Sequence, residues 1–431
     1  MFFYSYKRQQ AGFMTDQVIS TNGPSPRPGD RIGFIRNGGR FLHLLVRGAL
    51  LQIVTFGFYR FWLTTDLRRH LWSRTTLNGE NFEYTGRGRE LLVGFLIALA
   101  ILVPIYLAVF LIGIWLENLR AFSSLLLILF MFLFGQFALY RARRYRLSRT
   151  IWRGVRFWMT GSGWAYALRA FGWQILVVLS LGLVYPWYAR WRESFKMRNT
   201  YYGDAPGAFE GRGGQFFKRG FGLWLLTVGG LLALGAVAAS FDWIRLEGKE
   251  VPRAASIALG AAVSLWLLAS AIAYPYFRAI EWRWWAQGVR LGNVSLHSTL
   301  RGGQLLKLYL RIIGWVLLLL IGWIVIGAIL ALIVHLGLGD LKLLLSETSA
   351  RMKSPGIFHI AVLVVAVILY LLILMSFGVV QRFFTMHELW RIIVESLTVE
   401  NVASLEGVIQ RGDATSALGE GLADSLDVGG F

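Results

Sequence analysis

Long apolar runs recur along this chain: Leu91 to Trp115, Phe122 to Tyr140, Phe221 to Phe241, Ala254 to Tyr276, Leu308 to Val334 and Ile357 to Val380. A helix of about 20 such residues spans the ~30 Å hydrocarbon core of a bilayer. These runs are too long and too uncharged for the core helices of a soluble protein. Composition agrees, with 56% of 431 residues hydrophobic and a mean hydropathy of +0.54. The expected fold is all-α, a polytopic transmembrane helical bundle.

The chain also repeats itself. Moved forward by 125 positions, Gly57, Trp62, Thr75, Gly86, Arg87 and Gly88 fall on Gly182, Trp187, Thr200, Gly211, Arg212 and Gly213. A further 89 positions carry Tyr185-Pro186 onto Tyr274-Pro275 and Arg212-Gly-Gly-Gln onto Arg301-Gly-Gly-Gln. Trp282 and Asn293 recur as Trp390 and Asn401, 108 positions on. The unit is an aromatic motif, a basic connector, a Gly-rich turn and an apolar run, the pattern of membrane proteins built from repeated hairpins. It divides the chain into a tail (1–32), a first membrane repeat (33–140), a second opening on an Arg-rich connector (141–276), a partial third (277–380) and a C-terminal helix with an acidic tail (381–431). No apolar signal-peptide core is found near the start, and Met14 is a plausible alternative start.

The net charge of +20 sits in the connectors. Seven arginines between Arg141 and Arg156 share one stretch without an acid, and the stretches 190–220 and 277–307 are also basic. Positive connectors stay in the cytoplasm, whereas the balanced 117–120, 242–253 and 335–356 belong outside. The natural counterpart of this charge is a bilayer with anionic headgroups, not nucleic acid. Two shorter segments, Phe41 to Phe58 and Tyr166 to Tyr185, have basic connectors on both sides. Their expected state is re-entrant or interfacial, giving six spanning helices plus two short ones; the alternative is eight full crossings. Paired short segments also mark the binding sites of transporters, so Arg47 and Gln52 in the first, and Arg169 and Gln174 in the second, are candidate cavity or lipid-contact residues.

Catalytic chemistry is not signalled. Cysteine is absent, no two histidines sit at metal-ligand spacing, and His387-Glu388 lacks the second His of a zinc-protease helix. Neither a nucleophile elbow nor paired intramembrane carboxylates stand out, so no enzyme, metal or cofactor is expected. The Gly86-Arg-Gly88 and Gly211-Arg-Gly213 pairs are not phosphate loops, because no Gly-Lys-Ser/Thr follows and no strand is expected before them. They are read as turns from the membrane surface into the next helix.

Gly57-Phe-Tyr-Arg-Phe-Trp62, Phe82-Glu-Tyr-Thr-Gly-Arg-Gly88, Tyr185-Pro-Trp187 with Thr200, Phe209-Glu-Gly-Arg-Gly213 and Ser416-Ala-Leu-Gly-Glu-Gly-Leu-Ala-Asp424 resemble the YjgN family of uncharacterised bacterial inner-membrane proteins. The resemblance implies a multi-pass protein of the bacterial inner membrane and supplies no catalytic residues. Two functions fit: a transporter or pore for a small or anionic solute, or a scaffold or lipid-organising subunit that binds anionic lipid, a membrane partner or a second copy of itself. The C-terminus is expected in the cytoplasm.

Overall fold

The computed structural model describes residues 32–116, 120–248, 250–338, 357–413 and 415. The N-terminal tail, most of the expected outer connectors and the Ser416–Asp424 motif lie outside them. Strand β1 (Ile32–Phe34) leads into α1 (Gly38–Val54), and α2 (Arg60–Trp72) returns to β2 (Thr75–Leu77). After β3 (Glu80–Asn81) and β4 (Glu83–Tyr84), α3 (Gly88–Trp115) leads out and α4 (Arg120–Ser148) returns to β5 (Thr150–Trp152). From β6 (Val155–Met159), α5 (Gly163–Leu179) and α6 (Tyr185–Arg198) reach β7 (Thr200–Tyr202). From β8 (Ala205–Phe209), α7 (Gly213–Trp224), a π-helical turn (Leu225–Gly229) and α8 (Gly230–Leu246) lead out, and α9 (Arg253–Gly288) returns to β9 (Val289–Leu291). The last circuit starts from β10 (Val294–Ser298) and runs out along α10 (Gly302–Leu338). It returns through α11 (Ile357–Arg382), a second π-helical turn (Phe383–Glu388) and α12 (Leu389–Glu395) to β11 (Leu397–Glu400).

The described residues are predominantly helical, and six helical segments among them are long and apolar enough to cross a membrane. The short strands are an addition that the sequence reading lacked. They form two antiparallel sheets, β1 to β3 and β4 to β11, that follow one another as a meander in which tight turns alternate with helical excursions. β1 pairs with β2 across α1 and α2 (Gly33 opposite Thr76), and β6 pairs with β7 across α5 and α6 (Trp158 opposite Tyr201). β4–β5, β8–β9 and β10–β11 pair in the same way across the three long excursions. β3 and β4 are halves of one strand, broken at Phe82, whose N–H donates to Thr75 O at 3.1 Å.

The meander curls until its edges, β1 and β11, lie side by side. Side chains from nine of the eleven strands, and Phe82 between β3 and β4, meet in one core, including Ile32, Leu77, Trp152, Tyr202 and Val399. A ring of this many strands is wider than eight-stranded barrels, whose interiors side chains alone can fill. Here the chain beyond β11 supplies the rest, as Val402, Leu405 and Val408 join the same core. This strap then crosses the rim: Ile409 N–H donates to Asp204 Oδ1 (3.1 Å), Arg156 N–H to Gln410 Oε1 (2.6 Å), and the Ser148 and Thr415 hydroxyls pair at 2.8 Å. The described C-terminal residues are thus docked on their own chain as far as Gln410 and again at Thr415.

The sheet decides the membrane topology. A single crossing by α1 or α5 would put hydrogen-bonded strands on opposite sides of a bilayer, so eight full crossings are excluded. Both short helices double back instead. Phe41, early in α1, packs against His70, late in α2, with ring centroids 5.5 Å apart. Tyr166, early in α5, stacks on Trp191 of α6 at 5.7 Å. At 17 residues each, α1 and α5 are about 26 Å long, so their hairpins reach into a bilayer without needing to leave it on the far side.

Candidate functional site

The repeated motif residues are the joints of this architecture. The tips of the short hairpins have Phe56 and Leu181 at φ 50° and Gly57 and Gly182 at φ 88° and 87°. Their N–H groups close the turns, Gly57 to Gln52 O and Gly182 to Val177 O, both at 2.7 Å. An L residue with a β-carbon is strained in that left-handed region, which is why glycine recurs there. Thr75, Thr150 and Thr200 end the returning helices, each hydroxyl donating to the carbonyl four residues earlier at 2.8–2.9 Å.

Gly88 and Gly213 open outgoing helices and lie directly on Trp62 and Trp187 of the preceding return. The same joint forms between Gly163 and Phe137 and between Gly302 and Tyr276. Gly86 and Gly211 pack on the rings of Tyr84 and Phe209. Strands do precede these glycine pairs, contrary to the sequence expectation.

The four candidate polar residues do not converge. Arg47 is exposed on α1, and Gln52 folds back to donate to Gly48 O at 3.4 Å. Arg169 is exposed on α5, 5.8 Å from the Phe195 ring centroid, and Gln174 is half-buried. None of them lines the apolar cavity beside Gly182.

The densest electrostatic feature is one that sequence reasoning missed. It lies where α6 meets α9. Glu193 accepts from Arg192 Nε (2.9 Å), Lys196 Nζ (3.2 Å) and Trp285 Nε1 (3.1 Å). Glu281 accepts from the Tyr185 hydroxyl at 2.6 Å, pairs with Arg278 and lies 3.7 Å from Arg192. Both carboxylates are buried. Burial works to raise the Glu193 carboxyl, but Lys196, Arg192 and Arg143 overcome it and hold it down at about 2. Burial also pushes the Lys196 ammonium down to about 8 against the pull of Glu193. Mutually compensated in this way, the groups lock two helical excursions together at the level of the sheet. The available signal was amphipathicity: α6 carries Glu193 and Lys196 one turn apart amid aromatics.

A second cluster closes the ring of helices. His70 of α2 and His387 both pack against the Phe41 ring (centroids 5.5 and 5.1 Å), and His387 Nδ1 lies 3.1 Å from Glu388 Oε1. Trp390 donates to Thr75 Oγ1 at 3.0 Å and stacks on Trp72. Burial, then the nearby Arg74, hold the His70 imidazole down at about 4. Among the described residues no group of three or more His, Asp or Glu could hold a metal ion.

Each outgoing helix carries an exposed cation in its first two turns: Arg40 on α1, Arg89 on α3, Arg169 on α5, Lys218 on α7 and Lys307 on α10. Just beyond them the spans turn apolar, and four of the six spans bury none of their most hydrophobic window inside the protein. Uncovered apolar helices flanked by a collar of cations define a multi-pass membrane protein. The chain belongs to the family described as bacterial protein of unknown function (DUF898), which matches residues 30–425 and includes the YjgN proteins. No curated protein and no solved structure matches the chain significantly.

Proposed function

We propose that this protein is a non-catalytic scaffold of the bacterial inner membrane that gathers anionic lipid in the cytoplasmic leaflet. The observation that carries the reading is the collar: five outgoing helices, each with an exposed cation at the level where the sheet gives way to apolar helix. Cations at that level attract anionic headgroups by roughly 1 kcal/mol each. The positive connectors, and with them the sheet and the C-terminus, lie in the cytoplasm by the charge rule. We infer that the recurring circuits arose by internal duplication, since Gly57/Gly182, Thr75/Thr200 and Gly88/Gly213 do the same work in each copy.

Transport is the weaker reading. A solute path would be expected to run through the strand ring or between the short hairpins. The ring is filled by side chains and by the strap, and none of Arg47, Gln52, Arg169 and Gln174 lines the cavity beside Gly182. The test is reconstitution of the full chain in vesicles of phosphatidylglycerol or phosphatidylcholine. The expected result is a higher thermal midpoint in phosphatidylglycerol that falls with added salt, with no chloride or phosphate uptake above empty vesicles. Uptake would overturn the scaffold reading, and equal midpoints in both lipids would overturn the anionic-lipid role.

A further inference from the structure

Beside the tip of the α5–α6 hairpin lies a cavity of about 350 Å³. Leu183 and Tyr185 form one wall, Phe217 and Phe221 of α7 a second, and Ala273 and Phe277 of α9 a third. Its size falls within the ~300–1,000 Å³ of ligand sites in general. Several features keep it open. The π-helical turn Leu225–Gly229 interrupts the α7–α8 helix where it borders the cavity, and such turns often sit at functional sites. The backbone around it is capped by indoles: Trp224 Nε1 donates to Leu181 O at 2.8 Å, and Trp266 Nε1 to Leu226 O and Thr227 O at 3.1 Å. The Ser270 hydroxyl lines the cavity and is buried without a hydrogen-bond partner.

A polar cleft adjoins this cavity. Pro186 and Phe217 line the apolar side, and their chain neighbours Trp187 and Lys218 line the cleft together with Arg190 and Arg212. Three cations therefore stand next to a hydrocarbon-lined space, and none of them has a carboxylate partner among the ion pairs of the described residues. Tyr185 ties the cavity to the buried ion cluster through its bond to Glu281.

From this juxtaposition we propose that the cavity holds one acyl chain of an anionic glycerophospholipid whose phosphate lies among Arg190, Arg212 and Lys218. For the headgroup, the assignment rests on the anionic-lipid reading above; for the chain it does not. A polar solute does not suit these walls. A free phosphate would occupy the cleft and leave the cavity empty, whereas a phospholipid fills both.

The test uses the full chain in nanodiscs containing phosphatidylglycerol with a diazirine on one acyl chain, photolysed and mapped by mass spectrometry. Adducts on the cavity walls of α7 and α9 are expected at least five-fold above those on the open faces of α3. Filling the cavity by Leu183→Trp, or independently by Ala273→Phe, should cut the cavity adducts at least five-fold and leave those on α3 unchanged, which also reports that the fold survives. Uniform labelling of all spans, or cavity labelling that neither variant reduces, would overturn the chain site even if phosphatidylglycerol still raises the thermal midpoint. The same experiment with diazirine-labelled phosphatidylcholine, and with Arg190, Arg212 and Lys218 changed together to Gln, isolates the headgroup. A phosphatidylglycerol preference lost in the triple variant is expected; equal labelling by both lipids in the native chain would overturn the phosphate assignment and leave the chain site standing.

Discussion

Gly88 lies so tightly on Trp62 that a β-carbon added to it would fall 2.8 Å from the Trp62 Cα. The contact is backbone against backbone, so no side-chain rotation relieves it. The same joint at Gly213 is looser, with 3.2 Å to Pro186 O and Trp187 Cδ1. Glycine and the bulky aromatic are thus two halves of one contact that welds each outgoing helix to the return before it.

Gly88→Ala should therefore cost roughly 1–3 kcal/mol, the range for overpacking a tight contact, and Gly213→Ala distinctly less. Gly39→Ala, with nothing within 4 Å of the added carbon, serves as the control. Thermal midpoints of the three variants in one detergent decide this, and equal losses at Gly88 and Gly39 would show the weld to be unimportant.

The meander requires all its tight turns to face one compartment. The chain lacks cysteine, so single cysteines at Asn78, Arg153, Asp204 and Asn293 can be labelled without background. All four should react with an impermeant thiol reagent from the same side of the membrane. Reaction of Arg153→Cys and Asp204→Cys from opposite sides would mean that α5 crosses and that β6 and β7 do not pair. Ser148 is unsuitable for such labelling because it is fully buried.

Gly182 at the hairpin tip has φ 87°. Gly182→Ala should cost about 1–2 kcal/mol from left-handed backbone strain alone, read as a lower midpoint without loss of oligomeric or topological integrity.

Glu193 ionises in the fold well below its ordinary range. A carboxyl whose folded pKa is depressed contributes stability that is present above its unfolded value of 4.5 and is lost as pH falls towards about 2. Stability measured between pH 5 and pH 2.5 should fall, and Glu193→Gln should flatten that dependence. At neutral pH the same substitution should cost roughly 3–5 kcal/mol, because Lys196 loses its carboxylate partner and Arg192 keeps only Glu281, at 3.7 Å.

Leu405 reaches the ring core from outside the sheet and is buried there. Leu405→Ala should cost about 2–5 kcal/mol and make the strap a preferred site of proteolysis. A variant as resistant as the native chain would mean that the ring is filled without it.

Much of this was legible in residues alone. Six apolar runs gave the spans, because hydrocarbon thickness fixes the length of an apolar helix. The basic flanks of Phe41 to Phe58 and Tyr166 to Tyr185 indicated segments that turn back. The match of Gly57 to Gly182 and of Trp62 to Trp187 marked positions where a turn or a close approach tolerates few side chains. The strands were not legible, because runs of two to five residues are too short for an alternating pattern to emerge; the hints were the turn dipeptides Asn78-Gly79, Gly203-Asp204 and Gly292-Asn293. Tertiary structure alone decided what those strands join. Pairing β1 with β2 and β6 with β7 depends on contacts across whole helical hairpins, and it is this pairing, not hydropathy, that forbids a crossing by α1 or α5. It also brought Glu193 to Trp285, His70 to His387 and Val402 to Trp152, since burial of a charge or the filling of a ring is a property of neighbours that only folding brings together.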